Sequence, residues 1–342
     1  MAQSTGTAPG VRWRWPYALR GFLTVLPAGL AAFHDVQLAA ALAVGLLPVC
    51  PLPLPPSRLG RVRLGMYGVM AAASICLGGF LAQWPPVAVI ALILAGGGLG
   101  HLVVRLHRPV AMLGLLLCLP LFAVGLSYPG VDKVSGLAVD LLLGTAWSVL
   151  VAVAWPRPAP LAHPVGAAAP DGPPDPAIVG YGWAAGVTGA VCATIGFAAG
   201  LEHVGWAPAA ALLVMRPNPP MQRLRSMDRV GDVALGAVAA SLLVVWDPPA
   251  AVYALAIAAV VVTATATAGS RWYVLPTFTT FLVFILLLAR DPSDAQHRFW
   301  ERLLETLLGV AVAAVTTIAL GAIARRAGHQ PHPAHRAGGA AR

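Results

Sequence analysis

Two groups of residues carry most of the chemistry this sequence offers. Arg216, Arg229 and Arg63 lie with Trp206, Asn218 and Asp232 at the ends of apolar segments. The planar guanidinium fork matches a carboxylate, so facing arginines would collect an organic anion. Asp140 and Glu305 are acids placed in the first third of apolar runs. An acid in hydrocarbon is costly to keep charged, which makes such residues candidate proton carriers. Each assignment has a plain rival: topology alone accounts for any single arginine, and both acids lie near enough to a span end to reach water. His34-Asp35 and Glu202-His203 form a third, mirrored pair of acid and imidazole at two turns. Histidine titrates near neutral pH, so a pH-sensitive gate and an ordinary interfacial turn are the two readings there.

The elements that must position these residues are set by composition. The chain is 58% hydrophobic and 10% charged, against about 25% charged for a soluble domain. Its bulk solvent is therefore lipid. The net charge of +9 is spread over loops in ones to fours and forms no stripe, which argues against nucleic acid. Cys50, Cys76, Cys118 and Cys192 lack metal or redox spacing and read as packing residues. No nucleotide motif occurs, and no cofactor or metal is expected. The scattered His and acidic residues do not converge on one catalytic depth, so the chain does not read as an enzyme.

Twelve apolar spans are legible: 17–33, 36–49, 64–83, 85–104, 109–128 and 134–155, then 180–201, 204–215, 230–246, 249–268, 272–289 and 299–324. Most approach the roughly 20 residues that a spanning helix needs. The expected fold is an all-α polytopic membrane protein with about 12 transmembrane helices. Its expected divisions are an N-terminal cytoplasmic segment (1–16), a first membrane unit (17–156), a Pro/Ala/Gly-rich linker (157–178), a second membrane unit (179–325) and a disordered tail (326–342). With both termini cytoplasmic, all of the 22 Lys and Arg residues fall on the inner side except Lys133, Arg290, Arg298 and Arg302. That asymmetry follows the positive-inside rule.

The halves resemble each other. A-V-D-L-L-L-G (Ala138–Gly144) parallels L-L-E-T-L-L-G (Leu303–Gly309), setting Asp140 against Glu305. Q-W-P-P (Gln83–Pro86) parallels W-D-P-P (Trp246–Pro249). Two parallel six-helix repeats follow, related by an axis along the membrane normal. The second span of each half is short and stops at prolines, C-P-L-P-L-P-P after Val49 and R-P-N-P-P after Met215. Broken segments at equivalent places in two repeats are a pointer to a transport site. Small-residue runs at Gly65-x-x-Gly68 and Gly231-x-x-x-x-Gly236 would allow close helix packing. A basic turn containing Arg223, Arg225 and Arg229 is expected ahead of Gly231.

The pattern W-A-P-A-A-A-L-L-V-M-R-P (Trp206–Pro217), followed by R-x-x-D-R-V-G-D-x-x-x-G (Arg225–Gly236), resembles the fusaric acid resistance protein-like membrane module. R-L-L-E-T-L-L-G (Arg302–Gly309) is similar to that module's closing helix. The resemblance is strong over 181–325 and survives only in outline over 17–155. It implies an exporter of aromatic acids in a bacterial inner membrane. A short linker stands where many such exporters carry a soluble domain, so partner assembly does not carry over. The nearly lysine-free, Ala- and Arg-rich composition points to a high-GC bacterium.

The expected function is export of small organic anions of the aromatic carboxylate kind, or of toxic compounds. Arg216 and Arg229 would collect the anion, and Asp140 and Glu305 would couple its exit to protons. The partners implied are the bilayer and the substrate, with a homo-oligomer left open. A passive anion channel with an arginine-lined pore and a non-transporting scaffold stand as alternatives.

Overall fold

The computed structural model describes residues 13–106, 112, 114–156, 177–216, 219–268, 274–289 and 295–326. Among them all regular structure is helical. The expected tail after Arg326, nearly all of the linker and Asn218 lie outside the described residues, as do the side chains of Arg223, Arg225 and Asp228.

In chain order the helices are α1 (Trp15–Ala31), α2 (Val36–Leu46), α3 (Arg58–Arg63), α4 (Gly65–Leu81), α5 (Pro85–Leu106), α6 (Leu119–Gly125) and α7 (Val131–Ala154). There follow α8 (Ala177–Ala199), α9 (Trp206–Val214), α10 (Pro219–Trp246), α11 (Ala250–Ala266), α12 (Val274–Leu288) and α13 (Ala295–Arg326). Because α8 starts at Ala177, the last two residues assigned to the linker are helical. A wide π turn, Gly114–Cys118, precedes α6. Pro120 has no N–H to offer the carbonyl four residues back, and the wide turn falls where that bond is missing.

Among the described residues, six stretches are long and apolar enough to cross a membrane: Arg58–Leu81, Pro85–Arg105, Val131–Ala154, Ala177–Ala199, Arg229–Trp246 and Gln296–Ala322. Shorter apolar helices span Val36–Leu46, Gly114–Gly125, Ala250–Ala266 and Thr277–Leu288. The expected basic turn before Gly231 is instead helical, since α10 begins at Pro219. Prolines fit a helix's first turn because the N–H groups there have no intrahelical acceptor.

Helices pack in corresponding pairs. α2 lies on α7 as α9 lies on α13, and α4 lies on α6 as α10 lies on α12. α5 crosses to α8, and α1 crosses to α11. The two large cores therefore mix the halves. One is built from α5, α6, α8 and α9, with Leu92, Phe122, Ala193 and Leu212. The other joins α1 and α2 to α10, α11 and α12 through Leu46, Ala240, Ile257 and Phe284.

Glycine sets two of these approaches. A Cβ on Gly144 would lie 2.4 Å from the Leu42 carbonyl oxygen, and one on Gly309 would lie 2.2 Å from that of Ala207. Both contacts therefore need a bare backbone. Gly68 abuts Thr145 and Gly236 abuts the Thr277 carbonyl, as close packing requires, whereas Gly231 meets nothing within 4 Å.

Candidate functional site at the short helix α9

The helix α9 has nine residues, about 14 Å of rise against roughly 30 Å of hydrocarbon. Its two ends therefore hold polar groups at depths a full span would keep apolar. Gly205 fixes its start: the N–H donates to Ser127 Oγ at 3.0 Å, and a Cβ would stand 2.0 Å from the Ala123 carbonyl. Proline at 217 fixes its end.

Trp206, the first residue of α9, is 1% exposed. His203 stacks on its indole, with centroids 4.0 Å apart and planes at 15°. The Arg302 guanidinium lies over the same ring at 4.5 Å, a cation–π contact. His203 Nδ1 meets Glu301 Oε1 at 3.0 Å, and Arg298 pairs with Glu202 at 2.7 Å and Glu301 at 3.5 Å. This network caps the N-terminal end of α9.

Below it the polar groups are buried and open-handed. Among the described residues, Arg302 Nε and Nη1, both Glu305 oxygens, Thr306 Oγ1 and Arg229 Nε find no hydrogen-bond partner. Arg302, Glu305, Thr306 and Arg229 are each at least nine-tenths buried. Buried polar atoms are satisfied in the great majority of native cases, so such a concentration marks a place for water or a ligand. Arg229 and Arg302 are close enough for their charges to repel, and Glu305 lies within the field of Arg302. The α9 N-terminus adds its positive dipole end to the same region. On α10, Asp232 is buried beside Arg229 and accepts a hydrogen bond from Thr277 Oγ1 at 2.6 Å.

At the other end of α9, Tyr181 donates its hydroxyl to the Met215 carbonyl at 3.0 Å. Half-buried Arg216 also donates to that carbonyl. Buried Gln222 accepts from the Arg216 N–H at 3.4 Å and donates to Ala313 O and Thr317 Oγ1. In the first half, Arg20 donates to the Cys50 and Leu52 carbonyls beyond the end of α2.

Trp206, Arg229, Asp232 and Glu305 thus meet in one buried region, with Arg216 at its far end. Arg63 does not join them: it is exposed. Its neighbour Arg61 is the buried one, donating to the carbonyls of Pro55, Ala152 and Trp155 as a cap on α7. Asp140 is half-buried and is not among the residues of that buried region. It faces a cavity of about 800 Å³ with Asp35, Leu38, Lys133 and Leu137, which Glu202, His203 and Arg298 of the network over Trp206 also line. The mirrored turns also diverge. Asp35 caps α2 by accepting from the Gln37 and Leu38 N–H groups, whereas Glu202 and His203 build the network over Trp206. Sequence reasoning counted Arg302 among the outer-side charges and as the first residue of the R-L-L-E-T-L-L-G motif but not among the site residues; its position three residues before Glu305, on one helical face, was the available signal. Gln222 carried none.

These features define a multi-pass helical membrane protein with a buried, charged site at a shortened helix. Residues 191–316 match the model of the family described as fusaric acid resistance protein-like. The family points to membrane transport or efflux. No curated protein and no solved structure matches the chain.

Proposed function

We propose that this protein is a secondary transporter of a bacterial inner membrane, exporting small organic anions of the aromatic carboxylate kind. Its twelve spans form two parallel six-helix repeats with both termini in the cytoplasm. The paired packing of α2 on α7 and α9 on α13 supports that arrangement, as does the matching of Gly144 with Gly309. The observation that carries the functional reading is the buried set of unsatisfied donors on Arg229 and Arg302 beside Trp206.

The mechanism follows from charge placement. Arginines at the cytoplasmic face raise the local concentration of anions. Arg216, at the inner end of α9, passes the anion into the region between Arg229 and Arg302, where guanidinium N–H groups replace its hydration. An aromatic body would sit against the apolar walls of α9 and α10. Trp206 and the His203–Glu301–Arg298 network close the outer side, which favours a carrier that alternates over a pore that stays open. Glu305, one turn from Arg302 on α13, is the second-half acid proposed to carry the proton whose entry is coupled to anion exit. Asp140 is the first-half acid open to the outer cavity.

Purified protein in proteoliposomes, loaded with labelled aromatic and aliphatic carboxylates, tests this. Efflux against concentration under an imposed pH gradient is expected, with Arg302→Gln cutting flux and the Asp140→Asn/Glu305→Gln double variant abolishing its dependence on the gradient. Ohmic anion current indifferent to the gradient would replace the carrier with a channel. Absence of flux for every acid would refute transport of organic anions.

A further inference from the structure

The cavity beside Asp140 occupies the place that the second half fills with its own side chains. At the offset that pairs Asp140 with Glu305, Leu38 corresponds to His203, Ala41 to Trp206 and Leu137 to Arg302. In the second half those three are the imidazole, indole and guanidinium stacked together near Glu305. In the first half they shrink to aliphatic groups, and all three line the cavity of about 800 Å³. The acid is kept while these three positions lose their aromatic and cationic character, although Tyr128, Lys133, His203 and Arg298 line the same cavity from other positions.

The remaining charges around the cavity are mostly committed. Asp35 holds the N–H groups that open α2. Arg298 is tied to Glu202 and Glu301. Lys133 stands exposed two turns nearer the rim on α7. Among the described residues no hydrogen bond or ion pair engages the Asp140 carboxylate, and Asp35 lies near enough to act on it. Leu38, Leu137 and Leu286 give the cavity apolar wall, and Gln37, Ser127 and Tyr128 give it polar wall. The volume is that of a typical small-molecule site.

We propose that this cavity binds an organic cation, a protonated amine or amidinium on an aromatic body, with its charge against Asp140 and its ring over Ala41 and Leu137. The ligand supplies in the first half what Trp206 and Arg302 supply in the second. This inference rests on the repeat but not on anion transport, and it makes the two sites opposite in charge preference.

The experiment uses the full-length protein in nanodiscs with two probes of one ring system and opposite charge, 1-naphthylmethylammonium and 1-naphthylacetate, titrated by calorimetry against empty nanodiscs. Saturable binding of the ammonium is expected at this cavity. Asp140→Asn should weaken it tenfold or more, while Asp140→Glu keeps it within about threefold. Leu137→Arg and Ala41→Trp, which restore the second-half residues, should each abolish it with the thermal midpoint retained. If either larger residue prevents folding, the Asn and Glu variants decide the matter alone. Ammonium binding that is absent, or indifferent to Asp140→Asn, overturns the proposal. Naphthylacetate binding that is lost in Asp140→Asn overturns it too. Anion flux in proteoliposomes is read separately, so loss of one reading leaves the other standing.

Discussion

Replacing Gly309 by alanine should loosen the site without touching any of its charged groups. The added Cβ would lie 2.2 Å from the Ala207 carbonyl oxygen, 2.9 Å from the Ala211 nitrogen and 3.1 Å from the Ala210 Cβ. These are backbone and β-carbon atoms of α9, so no flexible side chain can swing aside. Relief requires α13 to move from α9 by about 1 Å, and overpacking of this kind costs about 1–3 kcal/mol. Alanine's helix preference over glycine returns at most about 1 kcal/mol, and a full return leaves a net loss of about 0–2 kcal/mol. Gly98→Ala and Gly231→Ala are the controls, because nothing lies within 4 Å of either added methyl; they should be neutral or stabilising by up to about 1 kcal/mol. With about 2 °C per kcal/mol for a chain of this size, the thermal midpoints in detergent should separate by roughly 4 °C. Gly144→Ala, whose Cβ meets the Leu42 carbonyl at 2.4 Å, should fall with Gly309→Ala. Glu305 and Arg302 sit one and two turns along α13 from Gly309, so anion flux should drop as well. A Gly309→Ala protein as stable as Gly231→Ala would refute the close α9–α13 contact and the site geometry that depends on it.

Two further outcomes follow. Arg302→Lys should lower anion affinity about tenfold in equilibrium binding despite keeping the charge, because an ammonium lacks the flat face lying on Trp206 and the fork that fits a carboxylate; equal affinity would reduce Arg302 to a point charge. Arg61→Ala should cost about 3 kcal/mol in denaturant unfolding, since it removes buried donors from three carbonyls, whereas exposed Arg63→Ala should change stability by less than about 0.5 kcal/mol.

What the sequence determined by itself is what periodicity, hydropathy and proline chemistry determine. Apolar runs have to become helices in lipid, because every backbone polar group must be satisfied within the segment. Prolines after Met215 end α9, and the pairing of Asp140 with Glu305 is written in flanking residues that need no contact to be seen. Trp206, Arg229 and Asp232 were legible as site candidates from their place at that break. Burial was not. Arg61 and Arg63 differ by two residues on α3, and only the packing of α3 on α7 decides which one is inside. Arg302 read as one of four outer-side charges until α13 lay against α9 and set its guanidinium on Trp206. The two mirrored turns look alike as strings, yet one caps a helix and the other builds an ion network. The difference arises because a side chain's partners are fixed by helix approach, and the approach here is set by bare backbone at Gly144, Gly205 and Gly309 meeting carbonyls far away in the chain.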